Sequence, residues 1–171
     1  VILTVEIPTY SWSVAAKMMG GKMTNSDVFS DGSLPHDSEI VSISMDRLTH
    51  ISMRVSLRDV GAQQNVVDLF GVKAFRAEDF VLQNVVSRML RSTAKDFSTD
   101  EIDYWVTWAT SFSDSASWLK PDRKHRWLAS LSENALELVV FEPSIGAQIA
   151  VVCERLLFRP SESELSWRDC N

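Results

Sequence analysis

The apolar positions along the chain change rhythm near residue 72. Before it they recur at every second position. Val1, Leu3, Val5 and Ile7 alternate with Ile2, Thr4 and Glu6, and Pro8 ends the run. That two-step pattern predicts a strand over 1–7. A longer alternation follows. Val41, Ile43, Met45, Ile51, Met53, Val55 and Leu57 are odd-numbered, while Ser42, Ser44, Asp46, His50, Ser52, Arg54 and Ser56 are even. The segment is long against an ordinary strand of about five or six residues. Over 40–58 it predicts a hairpin turning near Asp46–Thr49, with a single bent strand as the alternative. An odd-length loop keeps both apolar faces on one side, for example with Ile43 opposite Ile51 and Val41 opposite Met53. The turn signal Gly61–Asn65 then leads into a third strand over 65–72.

From residue 76 the spacing becomes three and four. Leu82, Val85, Val86, Met89 and Leu90 share one helical face and predict a helix over 76–92. In the stretch "FSTDEIDYWVTWATSF", Ser98 and Glu101 have capping-box spacing, with Phe97 and Ile102 placed as a hydrophobic staple. Ile102, Trp105, Ala109, Phe112, Ala116 and Leu119 continue the stripe, which predicts one helix over 99–119 stopped before Pro121. Two further blocks, 122–141 and 144–158, carry helical spacing through Leu128, Leu131, Ala135 and Leu138, and through Ile145, Ile149, Val152 and Leu156. The end of the first, residues 136–141, reads equally well as strand.

These elements predict a single α+β domain over 1–171. A mostly antiparallel N-terminal sheet would pack against three to four C-terminal helices. Residues 20–39, rich in Gly, Ser, Asp and Asn, read as a flexible loop, and 160–171 as a polar tail.

Composition changes this picture little. The 171 residues are 45% apolar and 23% charged, an ordinary globular balance. The net charge of −6 speaks against a general nucleic-acid or anionic-membrane binder, although a local basic patch survives within it. Two cysteines without a C-x-x-C pair fit a reducing cytoplasm better than a disulfide framework. No apolar stretch approaches the roughly 20 residues needed to span a bilayer. The opening "VILTVEIP" lacks the basic start and long apolar core of a signal peptide.

The chemistry-bearing signals are few. His36, His50 and His125 have no metal spacing with another His or Cys, and no phosphate-cradling glycine motif occurs. The sequence therefore implies neither a metal nor a cofactor, and names no catalytic residue. Trp105 lies on the apolar stripe and is expected in the core. Trp108 lies at its margin, where a partner surface competes with a core role.

Three functions remain. The first is a non-catalytic, acidic protein-binding module, such as an inhibitor or immunity-type protein that masks a basic partner, for example a nuclease toxin. Its candidate contacts are Asp27, Asp31, Asp37, Glu39, Asp100, Glu101, Asp103 and Trp108. The second is a nucleic-acid or phosphate contact through Lys120, Arg123, Lys124 and Arg126, where three cations at a helix start oppose its dipole. The third is a small hydrolytic enzyme that pairs His36 or His125 with a carboxylate.

Overall fold

The computed structural model describes residues 36–46, 52–112 and 116–161. Among these residues eight strands form one antiparallel sheet. They are β1 (Ser38–Asp46), β2 (Ser52–Arg58), β3 (Gln64–Phe70), β4 (Ala74–Glu78), β5 (Val85–Arg91), β6 (Glu137–Ile145), β7 (Gln148–Cys153) and β8 (Arg155–Pro160). A 3₁₀ turn at Ser92–Ala94 and two α-helices, α1 (Thr99–Ala109) and α2 (Pro121–Ser132), lie between β5 and β6. The strand order is β4-β7-β6-β5-β1-β2-β3-β8.

That order requires the sheet to roll. β7 stands second and β8 last, so six inter-strand spacings of about 4.8 Å would separate them by roughly 29 Å in a flat sheet. Only Glu154 joins them, and one residue spans at most ~7 Å. The β3–β4 link, residues 71–73, crosses between the same two edges of the sheet. The two links bend together: Lys73 N–H donates to Val152 O at 2.8 Å and Glu154 N–H to Phe70 O at 2.9 Å. Gly71 turns the chain there with φ +59.

The roll encloses the main core. Met53, Val55 and Leu57 of β2 meet Val67 and Leu69 of β3, Met89 of β5, Phe141 of β6, Ile149 and Val151 of β7, and Leu156 of β8. On the outer side of β4, β7 and β6, a second apolar layer lies under the helices. There Ala74, Leu138, Val140, Ala150 and Val152 face Trp105, Val106 and Ala109 of α1 and Leu131 of α2.

The expected N-terminal strands are present where they can be seen. The strand expected over 65–72 is β3, and the 40–58 pattern is the hairpin β1–β2; the strand expected over 1–7 lies outside the described residues. Odd pairs with odd, as an odd-length loop requires, but the register differs from that expected. Ile43 faces Val55 and Met45 faces Met53. A bulge between Ile40 and Ser42 leaves Val41 without a cross-strand partner. It turns Ile40 inward and Val41 outward, the reverse of the simple alternation.

The helix count is the main correction. The chain is not three to four helices on a sheet, because two of the four expected helices are strands. Residues 76–92 contain β4's end and β5. Register shifts flank Val86 in its pairing with β6, so Val86 and Met89 point into the core three residues apart. A bulged strand thus imitates one step of helical spacing. Residues 144–158 contain β7 and β8. Strand β7 is buried on both faces, Ile149 and Val151 inward and Ala150 and Val152 under the helices, so alternation disappears from its sequence.

The other two helices are shorter than expected. Instead of running over 99–119, α1 ends at Ala109. The Thr110 hydroxyl donates to Val106 O and the Ser111 hydroxyl to Thr107 O, both at 2.7 Å, closing the last turn. Instead of 122–141, α2 ends at Ser132, and Asn134 takes the left-handed conformation at φ +57 that stops helices. Residues 137–141 then enter β6. The capping box does form: Glu101 N–H donates to Ser98 Oγ and Ser98 N–H to Glu101 Oε2. Hydrogen bonds from the Ser98 side chain and then its backbone hold the Glu101 carboxyl below its ordinary range.

Trp105 is 9% exposed and sits edge-on to Tyr104 and Trp108 at 5.1 and 5.5 Å between centroids. Trp108 packs on the same layer, and the Arg76 guanidinium lies over its ring at 4.7 Å. Arg76 also donates to Trp108 O at 3.2 Å, tying α1 to β4.

Cys153 closes one end of the inner core. Burial first, and the Glu137 carboxylate second, push its thiol up to about 12. At pH 8 only about one thiol in ten thousand would be ionised. In a Cys170→Ser background, a disulfide reagent is expected to label Cys153 only as fast as the protein unfolds. Rapid full labelling of the folded protein would contradict this burial. Among the described residues no helix is long and apolar enough to cross a membrane.

A candidate protein-docking rim

One edge of the rolled sheet collects five exposed apolar side chains. The register traces that edge across every strand: Glu78 faces Gln148, Ile145 faces Val85, Val85 faces Glu39, Glu39 faces Arg58, Arg58 faces Gln64, and Asn65 faces Pro160. The β2–β3, β4–β5 and β6–β7 connections all lie along this rim. They carry Val60, Phe80, Val81, Leu82 and the neighbouring Ile145, with relative exposures of 86, 52, 53, 105 and 54%. Monomeric proteins seldom gather more than a few hundred Å² of apolar surface in one patch unless it binds something.

The β4–β5 connection is held, not loose. Asn84 is its fastener. Its Oδ1 accepts from Val81 N–H and Ala147 N–H, both at 3.1 Å, and its Nδ2 donates to Val81 O at 2.8 Å. Ile40 N–H donates to Asn84 O at 2.7 Å. One buried asparagine thereby joins the loop to the β6–β7 turn through its side-chain amide and to β1 through its backbone carbonyl. The turn presses close: a Cβ on Gly146 would lie 2.5 Å from Asn84 Oδ1 and 2.8 Å from Val81 Cγ2. A backbone fixed in this way presents Phe80, Val81 and Leu82 with little ordering entropy left to lose on binding.

Carboxylates border the apolar group. Asp37, Glu39, Asp59, Glu78 and Asp79 lie along the same rim. Two have strong partners, since Glu39 pairs with Arg58 and Glu78 with Arg76. Asp59 Oδ1 accepts from Gln63 N–H at 2.8 Å within its turn. Asp79 has no ion-pair partner among the described residues.

The candidate contacts read from the sequence are scattered by the fold. Asp37 and Glu39 fall on the rim. Asp100, Glu101 and Asp103 stand at the start of α1, on the helical layer. There Glu101 serves the cap, and Asp103 Oδ2 accepts from Lys124 Nζ at 2.8 Å. Trp108 is engaged by Arg76. Asp27 and Asp31 lie outside the described residues. Of the basic segment, Lys120 is the N-cap position of α2 without a side-chain cap bond, and Lys124 is bound to Asp103 and Thr107. Arg123 and Arg126 are exposed.

His36 Nδ1 lies 2.8 Å from Asp37 Oδ2, with side chains 72 and 55% exposed. His125 is exposed on α2, and His50 lies outside the described residues. Neither described ring has the enclosed cleft that the hydrolytic reading requires. No group of three His, Cys, Asp or Glu side chains able to hold a metal occurs among the described residues.

Phe80, Val81 and Leu82 were not singled out as contacts in the sequence because the stretch from 76 reads as an amphipathic helix. A signal for the loop was nonetheless present: Asp79 and Asn84 are turn formers that bracket the apolar triplet. No protein-family model, curated protein or solved structure shows significant similarity to the chain.

Proposed function

We propose that this chain is a non-catalytic protein-binding module of the inhibitor or immunity type. It docks the rim carrying Val60, Phe80, Val81, Leu82 and Ile145 onto a protein partner. The partner supplies an apolar pocket edged with cationic side chains. The observation that carries this reading is Leu82, fully exposed between Val81 and Gln83 on a loop whose backbone Asn84 fastens.

Charge selects the partner class. The rim carboxylates and the net charge of −6 favour encounter with a basic surface and oppose an anionic membrane. Exposed apolar anchors supply affinity and the charges interspersed with them supply steering, the usual division of labour at interfaces.

Capture from the native source with the wild-type protein and a Phe80→Ala/Leu82→Asp variant tests the reading. The variant changes only exposed side chains, so its melting temperature should stay within a few degrees of wild type. The partner's affinity is expected to fall at least about 100-fold, as loss of two central anchors implies. The retained complex should also weaken as salt rises. An identical set of captured proteins for both forms would refute the proposal, and so would vesicles of anionic lipid binding the wild type and not the variant.

A further inference from the structure

A second surface, independent of the docking rim, has different chemistry. A depression of about 430 Å³ lies between α2 and the β3–β4 bend, lined by Lys73, Arg123, Arg126 and Trp127. It belongs to the opposite edge of the sheet, where Ala74 faces Val152. We infer that this depression binds a nucleotide, with Arg123, Arg126 and Lys73 taking the phosphoryl group and Trp127 taking the planar base.

Arg123 and Lys124 occupy the first turn of α2, where backbone N–H groups already present positive charge, and Arg126 follows them in the next turn. Cations there are unfavourable unless something compensates them. Lys124 is compensated by Asp103 and Thr107 at 2.8 and 2.7 Å. Arg123 and Arg126 meet no carboxylate among the described residues. Lys73 reaches the same depression from the bend, its Nζ 2.6 Å from Glu154 Oε1. Three cations from two separate elements thus converge in a protein whose net charge is −6. Among the described residues no carboxylate forms an ion pair with either arginine, although Asp122 shares their helix turn, and an external phosphoryl group fits their fork geometry.

The aromatic component narrows the ligand. Trp127 lines the depression and is half-buried, and its ring meets Trp118 edge-on, with centroids 6.1 Å apart and planes at 85°. That contact fixes the plane of an indole beside the guanidiniums. Indole and guanidinium planes both stack on nucleobases, whereas an acidic peptide has no use for the indole. The volume suits a small ligand or a strand end. The overall negative charge works against wrapping a long polyanion.

Glu154 gives the site a distinctive response. Its carboxylate occupies Lys73 in the free protein and would repel an incoming phosphate. Its removal should therefore improve binding.

Tryptophan fluorescence and calorimetry on the full chain at low salt test the assignment. The probes are AMP, adenosine, inorganic phosphate, a six-residue deoxyadenosine strand and a polyglutamate peptide. AMP is expected to perturb indole emission and bind in the submillimolar range. Arg123→Glu/Arg126→Glu should weaken it at least tenfold with an unchanged melting temperature, and Glu154→Gln should tighten it severalfold. A strand that binds no better than AMP assigns the site to free nucleotides. A strand that binds more tightly, with a steeper salt dependence, assigns it to single-stranded nucleic acid. The inference is overturned if phosphate, adenosine or polyglutamate matches AMP, or if the double arginine variant binds AMP like the wild type. Failure here leaves the docking rim untouched, since the two surfaces share no residue.

Discussion

Glu137→Ala is expected to remove about 3–5 kcal/mol of stability, a large share of the roughly 5–15 kcal/mol a domain of this size possesses. Glu137 and Arg91 sit at the end of the inner core with side chains 6 and 10% exposed, and Arg91 Nε donates to Glu137 Oε1 at 2.5 Å. The Thr93 hydroxyl donates to the same oxygen at 2.6 Å. Truncating the carboxylate removes the anion that accepts from Arg91 Nε and the Thr93 hydroxyl, at a place water reaches poorly, and the penalty comes from that desolvation more than from the lost bond. The pair as a whole contributes much less. Arg91→Met/Glu137→Leu, which replaces both by apolar groups of similar size, is therefore expected to recover most of the loss. Urea unfolding midpoints of Glu137→Ala and the double variant decide it. A double variant as unstable as Glu137→Ala would show that the pair is itself a principal stabiliser.

Gly146→Ala is the second large expected effect, about 2–4 kcal/mol. The residue has φ +80, a conformation that costs an L side chain of order 1 kcal/mol or more. The new methyl would also meet Asn84 Oδ1 at 2.5 Å, Val81 Cγ2 at 2.8 Å and the Gln83 carbonyl oxygen at 3.0 Å. Overpacking of this kind adds roughly 1–3 kcal/mol. Relief requires Asn84 to move, which breaks the bonds that fasten the β4–β5 loop. The variant should lose hydrogen-exchange protection at the Ala147 amide and weaken partner binding at temperatures where it remains folded. Glu137→Ala, at the opposite edge, should leave that amide protected. Wild-type stability together with a protected Ala147 amide in Gly146→Ala would contradict the role given to Asn84.

What was legible in the sequence divides along a physical line. Segments with one face buried and one face wet kept their period. Strand β2 shows Met53, Val55 and Leu57 inward against Arg54 and Arg58 outward, and the hairpin parity followed from it. Local chemistry was equally readable, because the Ser98–Glu101 box needs only neighbouring residues. Strands buried on both faces had no period to read. In β6 and β7 every second residue faces the helices instead of water, so Leu138–Phe141 and Ile149–Cys153 are continuous apolar runs. Bulges did the remaining damage, turning Ile40 and Val86 inward out of phase.

The candidate site was legible only in part. The acidic character that suggested a basic partner reappears on the rim through Asp37 and Glu39. The three acidic residues at the start of α1 belong to a different layer, because the fold separates 37–39 from 100–103 by placing them on the sheet edge and a covering helix. The apolar anchors were hidden by the false helix over 76–92. Exposure is a tertiary property, and the helical spacing that Leu82 shares with the buried Met89 masks the turn formers Asp79 and Asn84 that set it apart.

Site-specific photocrosslinking tests the docking rim most directly. A benzophenone amino acid is placed at Leu82, at Val60, and at Glu133 beyond the end of α2, and irradiated in extracts of the native source. Leu82 and Val60 are expected to yield the same adduct, competed by excess unmodified protein and not by the Phe80→Ala/Leu82→Asp variant, while Glu133 yields none. An adduct of equal strength from Glu133, or none from Leu82 while Glu133 reacts, would place the contact surface elsewhere and contradict the account.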